Sequence, residues 1–160
     1  MPKNTDPAVV LQSQVLRRFR VVFNAVRTHF QQMERQVGLG GALVWALHVI
    51  GEQEGIGVNT LAQHLDVHQS TASNLLRTLI QRGLVATEKD EKDRRINRLR
   101  LTTQGRDLLK NVPGPFSGVL PAALAQLPND TLTQLDRNLE SVIAALGVDE
   151  TAGTIPLANL

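Results

Sequence analysis

The sequence predicts a mainly α-helical fold with one small β element of two or three strands, and three patterns in its 160 residues lead there. Two long apolar stripes recur at helical spacing, one near each end of the chain. Two short helical segments follow each other closely in between. Directly after them, at residue 84, the apolar period drops to two. The length is one domain's worth, at about 150 residues per domain. With 42% hydrophobic and 20% charged residues the composition is that of an ordinary globular chain. The absence of cysteine excludes disulfides, thiolate zinc sites, iron–sulfur clusters and cysteine nucleophiles together. Aromatics at 3%, with no tyrosine, argue against the base-stacking platforms of single-strand binders.

Residues Pro7 to about Gly38 read as one long helix. Leu11, Val15, Phe19, Val22, Val26, Phe30, Met33 and Val37 follow in steps of three and four, forming a seam that needs a cover. Val21 and Phe23 widen it, and Gly38, Gly40 and Gly41 end the helix. A second helix, about Gly41 to Gln53, is apolar nearly all round through Leu43, Val44, Leu47, Val49 and Ile50, so it belongs in the centre of the fold. Glycines 51, 55 and 57 bracket the next turn. A short helix, about Asn59 to Leu65, turns inward Leu61, Ala62 and Leu65. After Asp66-Val67-His68 comes another helix, Gln69 to Arg82, with Ala72, Leu75, Leu76, Leu79 and Ile80 as its inner face and Gly83 as a left-handed cap.

The period then changes. Leu84 to Glu88 reads as a strand, Lys89 to Arg94 as a charged tip, and Ile96 to Leu101 as a second strand. Thr102 caps the next helix, which Val112-Pro113-Gly114-Pro115 must break. A short helix around Val119 to Leu127 follows. The last spans about Asn129 to Leu146, capped by Asn129 or Asp130, with Leu132, Leu135, Leu139, Val142, Ile143 and Leu146 as its stripe. From Gly147 onward the tail is either frayed or docked. Met1 to Pro7 is polar, unlike a secretory leader, and the apolar run Gly41 to Ile50 is interrupted by His48 and too short to span a bilayer. The expectation is a cytoplasmic protein with no membrane partner.

Short helix, turn, helix, glycine, strand, basic tip, strand is the winged helix-turn-helix order. Charge supports it. The net +2 resolves into +1 over residues 1–67, +5 over 68–106 and −4 over 111–160. A basic middle on an otherwise solvated body is the footprint of a nucleic-acid-facing surface; a merely solvated charge run is the alternative. The B-form major groove, about 12 Å wide, admits one helix. On the Gln69 to Arg82 helix the side opposite the apolar stripe carries Gln69, Ser70, Ser73, Asn74 and Arg77, all hydrogen-bonding and none acidic. Asn74 and Arg77 suit base edges, adenine and guanine respectively. Thr71 lies in the same first turns, and His68, just before them, suits a phosphate. The hairpin places Lys92, Arg94 and Arg95 where the neighbouring backbone or minor groove would lie.

At these residues the sequence resembles the MarR family of bacterial transcription regulators. Asp93-Arg94-Arg95-Ile96-Asn97-Arg98-Leu99-Arg100-Leu101-Thr102 matches that family's wing signature of Asp, any, Arg, three of any type, Leu, any, Leu, Thr. Ser70 to Val85 looks like its recognition helix and Gly-Leu-Val exit. The resemblance covers roughly residues 10–145 and is strongest over 58–105. It implies a homodimer on a palindromic operator, with Arg95 entering the minor groove and Asp93 orienting it; a surface Asp93–Arg95 ion pair is the plainer reading of those two. In many members it further implies a small phenolic or other aromatic acid as effector. The sequence departs from the family's long connecting helix at Pro113-Gly114-Pro115. The seam near the start and the stripe near the end both lack a partner within the winged-helix unit, and a two-fold axis would bury both. It would also set two recognition helices roughly 34 Å apart.

The expected organisation is therefore an N-terminal dimerisation helix (1–40), a winged helix-turn-helix DNA-binding region (41–105), C-terminal dimerisation helices (106–147) and a tail (148–160). The expected function is a homodimeric, sequence-specific regulator of double-stranded DNA, in the repressor sense. The alternative is a winged-helix protein–protein interaction module without DNA binding, which would show apolar or acidic residues on the exposed helix face. Arg20, Arg27, His29, Trp45 and His48 are candidates for an effector pocket, against a plain reading as a core tryptophan and satisfied surface groups. His64, Asp66 and His68 have a ligand-like spacing but straddle a helix end with no fourth ligand nearby, so no metal is expected. Nor is a cofactor, and no acid–base pair or phosphate loop suggests an enzyme.

Overall fold

A computed structural model describes residues 6–93 and 97–159. Helix α1 spans Pro7–Val37. Asp6 caps it, its Oδ1 accepting from Ala8 N at 2.9 Å, and Pro7 fills a position where no N–H is needed. Gly38, at φ 67°, closes it with a left-handed cap. Then follow α2 (Gly41–Glu52), α3 (Val58–Leu65), α4 (Gln69–Gln81), β1 (Val85–Lys89), β2 (Asn97–Leu101), α5 (Thr103–Lys110), α6 (Val119–Leu124) and α7 (Asn129–Leu146). Two 3₁₀ turns, Glu150–Thr154 and Leu157–Asn159, complete the chain. The fold is the expected one, mainly helical with a small β wing.

Helix α2 is the axle of the core. Val44, Ala46, Leu47 and Ile50 are fully buried against Leu61 and Leu65 of α3, Leu79 of α4, and Leu99 and Leu101 of β2. Each such leucine contributes about 1.5–3 kcal/mol by leaving water. Met33 and Leu39 extend this core to the end of α1.

Strands β1 and β2 pair antiparallel, with Val85 opposite Leu101, Thr87 opposite Leu99 and Lys89 opposite Asn97. Leu99 and Leu101 face the core while Arg98 and Arg100 face out, as period two requires. The choice between two and three strands resolves into two plus a single extra link. Leu99 N donates to Ile56 O at 2.9 Å and Leu99 O accepts from Gly55 N at 2.8 Å, stitching β2 to the turn before α3. Thr102 joins the wing to α5: its Oγ1 accepts from Gly105 N (3.0 Å) and donates to Gly83 O (2.7 Å). Gly105 is needed there, because a Cβ on it would stand 2.2 Å from the Leu84 carbonyl oxygen.

Three details differ from the sequence expectation. Ile80 is 40% exposed rather than inward, because at 100° per residue it lies about 80° round the helix from Ala72, at the edge of the stripe. Helix α7 takes Pro128 as its N-cap with no side-chain capping bond, so neither Asn129 nor Asp130 caps it; both are already helical. The first strand starts at Val85, one residue late, because Leu84 N is committed to Leu79 O.

The two ends of the chain are packed differently from the middle. The seam of α1 buries Val26 and Met33, but Leu11 is 61% and Phe23 57% exposed. No residue of α7 is buried, and Leu139, Val142 and Leu146 of its stripe stand in the open. Between α5 and α6, residues 111–118 are fastened at two points. His29 Nε2 donates to Pro115 O at 3.1 Å, and Phe116 stacks on His48 with ring centroids 4.1 Å apart. Among the described residues no helix is long and apolar enough to cross a membrane.

Candidate nucleic-acid interface

The presentation of α4 begins with the turn before it. Asp66 adopts the left-handed conformation at φ 52°, which aspartate tolerates better than most residues. Its N–H and that of Val67 return to Gln63 O and Ala62 O, closing α3. His68 is then extended and becomes the N-cap of α4, its carbonyl accepting from Ala72 N. Ala72 and Leu79 are fully buried, which leaves the opposite face to solvent.

That face is the one the sequence selects. His68, Gln69, Ser70, Asn74 and Arg77 are exposed; Thr71 and Ser73 are half-buried. Gln69 Nε2 donates to Ser73 Oγ at 3.1 Å, and Arg77 Nη1 donates to Asn74 Oδ1 at 3.2 Å. The helix holds no acidic residue along its whole length, so it presents no like charge to an anion. The positive end of its dipole lies at Gln69 and Ser70, the first residues of that face.

The wing is organised by Asp90, which is 6% exposed in an otherwise solvated tip. Its Oδ1 accepts from the backbone N–H groups of Lys92 (2.7 Å) and Asp93 (3.1 Å), while Arg98 donates through Nε and Nη2 to Oδ2. The Lys92 and Asp93 amides, followed by the Arg98 guanidinium, hold its carboxyl below the usual aspartate range. Sequence reasoning passed over Asp90, one of four acids in a charged run. What distinguishes it is a place two residues ahead of Lys92 that suits an Asx turn. Lys92 is exposed beyond this anchor. Arg94 and Arg95 lie outside the described residues.

The anchor also qualifies the +5 of the basic middle. Arg98 is bound to Asp90, Arg100 Nε pairs with Glu88 Oε2 at 2.8 Å, and Arg106 pairs with Glu54. Arg82 Nη1 donates to Gly38 O at 2.7 Å. Much of the positive charge thus braces the head, and the outward-facing share sits on α4 and the tip.

The remaining candidates do not converge. Arg27 borders a cleft of about 590 Å³ beside Val22, Phe23, Phe30 and Leu120. Trp45 borders a smaller recess with Ser117 and Pro121. His29 and His48 are engaged with Pro115 and Phe116, and Arg20 is exposed on α1. Phe30 and Leu157, which line the cleft, were not among the effector candidates; the α1 seam was the signal for Phe30 and the apolar run Ile155-Pro156-Leu157-Ala158 the signal for Leu157. His64, Asp66 and His68 are all exposed, and among the described residues no three such side chains gather as metal ligands would.

Residues 37–96, from the end of α1 into the wing, match the model of the MarR family. Over this segment the chain is similar to the MarR family. The chain also aligns with curated transcriptional regulators. HTH-type transcriptional regulator Hpr of Exiguobacterium sibiricum is 33% identical over 86 residues, 51% of this chain and 44% of that protein. HTH-type transcriptional regulator PetP of Rhodobacter capsulatus is 38% identical over 60 residues, 38% of this chain and 36% of that one. The chain thus spans less than half the length of the curated relatives it matches. Among solved structures, that of the S. aureus MepR–DNA complex superposes with a TM-score of 0.57 at 25% identity, over 80% of this chain and 94% of MepR.

Proposed function

We propose that the chain is a sequence-specific DNA-binding regulator of transcription, acting as a homodimer and repressing from a palindromic operator in the cytoplasm. The observation that carries this reading is the outward face of α4: exposed, rich in hydrogen-bonding groups and free of acid, next to a braced wing. Asn74 and Arg77 read base edges in the major groove, with Gln69, Ser70, Thr71 and Ser73 beside them. His68, Lys92 and Arg94 meet phosphate, and Arg95 enters the minor groove with Asp93 positioning it. The MarR-family match of this segment, the regulators it resembles and a DNA-bound structural neighbour support the reading.

Residues 1–40 and 106–147 form the dimer body around the reading head at 41–105, with 148–160 as a tail. The uncovered stripes of α1 and α7 support that arrangement. A small aromatic acid is the effector class, and the cleft beside Arg27 offers it apolar walls and a cation. Arg20, Trp45, His29 and His48 would then act around this site or through the adjoining loop.

Fluorescence anisotropy over duplexes drawn from the upstream region of its own gene tests the reading. Binding should weaken steeply with salt, each neutralised phosphate adding about −0.9 to the log–log slope. Arg77→Ala or Arg95→Ala should each cost about 1–3 kcal/mol. Affinity indifferent to salt and to both substitutions would sink it.

A further inference from the structure

The tail is docked. Gly147, in the left-handed conformation at φ 63°, closes α7 and redirects the chain. Asp149 caps the turn that follows, its Oδ1 accepting from Thr151 N at 2.8 Å, and Thr154 Oγ1 donates to Thr151 O at 2.7 Å. Thr154 reaches the recess over the helix-turn-helix formed by Asn59, Gln63 and His68. The chain then crosses to the start of α2, where Leu157 and Ala158 line the cleft with Phe30 and Gly41. A Cβ on Gly41 would stand 3.0 Å from Ala158 Cβ and 2.1 Å from the Phe30 ring. Glycine at this position is what lets α1, α2 and the tail approach so closely. Residues 151–160 carry no charged side chain, which suits an apolar seat.

From this we propose that residues 150–159 are an intramolecular strap, a self-ligand for the cleft between α1 and α2 that competes there with small apolar molecules. The strap ties the far end of α7 to the first turn of α2, so it spans from the terminal helix to the core of the head. It fills one wall of the cleft without closing it, and a molecule entering deeply would have to lift Leu157. The inference stands apart from DNA binding, since neither its observations nor its test involves nucleic acid.

The test uses a chain ending at Asp149 and, separately, the full chain with Ala158→Glu, which sets a carboxylate against Gly41 and Phe30. Hydrogen exchange should quicken about tenfold in residues 26–34 and 40–45 of both variants, because a local contact that holds those turns is lost. The probe 8-anilinonaphthalene-1-sulfonate should bind more strongly to both than to the full chain. A synthetic peptide of residues 150–159 should reverse both changes in the truncated chain. The full-length variant keeps the test decisive if truncation prevents folding. Exchange and probe fluorescence equal to those of the full chain, or a peptide without effect on the truncated one, would overturn the strap.

Discussion

The middle of this chain and its two ends use the same apolar residues to opposite effect. In the middle, Leu47, Leu61, Leu79 and Leu99 are sealed from solvent around one helix. At the ends, Leu11, Val15, Leu139 and Leu146 follow the same helical spacing and stay in the open. The difference lies in connectivity. Short turns fold α2 to α5 back on one another, whereas α1 and α7 are separated by nearly the whole sequence and receive few neighbours from it. A seam is thus an instruction to be covered, and the middle obeys it within one chain.

A matched pair of substitutions would break or confirm that contrast. Leu47→Ala should cost about 2–5 kcal/mol in urea unfolding, the loss expected for a leucine in a sealed core. Leu139→Ala should stay within about 0.5 kcal/mol at concentrations where the chain is monomeric. Its cost should rise with protein concentration if a second copy covers α7 as proposed, because stability then depends on association. Equal costs for the two, or no concentration dependence, would remove the distinction.

Gly105→Ala sharpens the picture of the middle. Its methyl group would collide with a backbone carbonyl rather than a flexible side chain, so a loss of about 1–3 kcal/mol is expected in the same assay. The smallest effect concerns Asp90. Its folded pKa is depressed, so its contribution is present above the unfolded value of about 3.9 and is lost as pH falls through the lower folded value. Thermal melts between pH 2 and 6 should therefore show an acid-side decline that Asp90→Asn lessens. A decline of unchanged size in the variant would remove Asp90 as the anchor of the tip.

The fold was legible from spacing. The seam of α1, the all-round apolar character of α2 and the fall to period two after Gly83 each report a local rule, and local rules are written residue by residue. The polar face of α4 was legible for the same reason. What escaped depends on register or on the path of a loop. That Arg98 would meet Asp90 follows from how β2 returns beside β1, and that Phe116 would meet His48 follows from the route of residues 111–118. Ile80 fell to the stripe's edge, a matter of helix angle that apolarity alone does not decide. The effector candidates scattered because composition marks which side chains could serve a ligand, while convergence depends on helix crossing.

The two backbone bonds from Leu99 to Gly55 and Ile56 carry a mechanical consequence. They weld the hairpin to the stretch that launches α3, and α3 packs on α4, so hairpin, α3 and α4 travel as a single tool with a fixed gauge. A target that demands a different gauge cannot be met by bending this unit. In the proposed dimer, any adjustment to it would come from how the two copies are hung against each other, where the uncovered leucines leave room to shift.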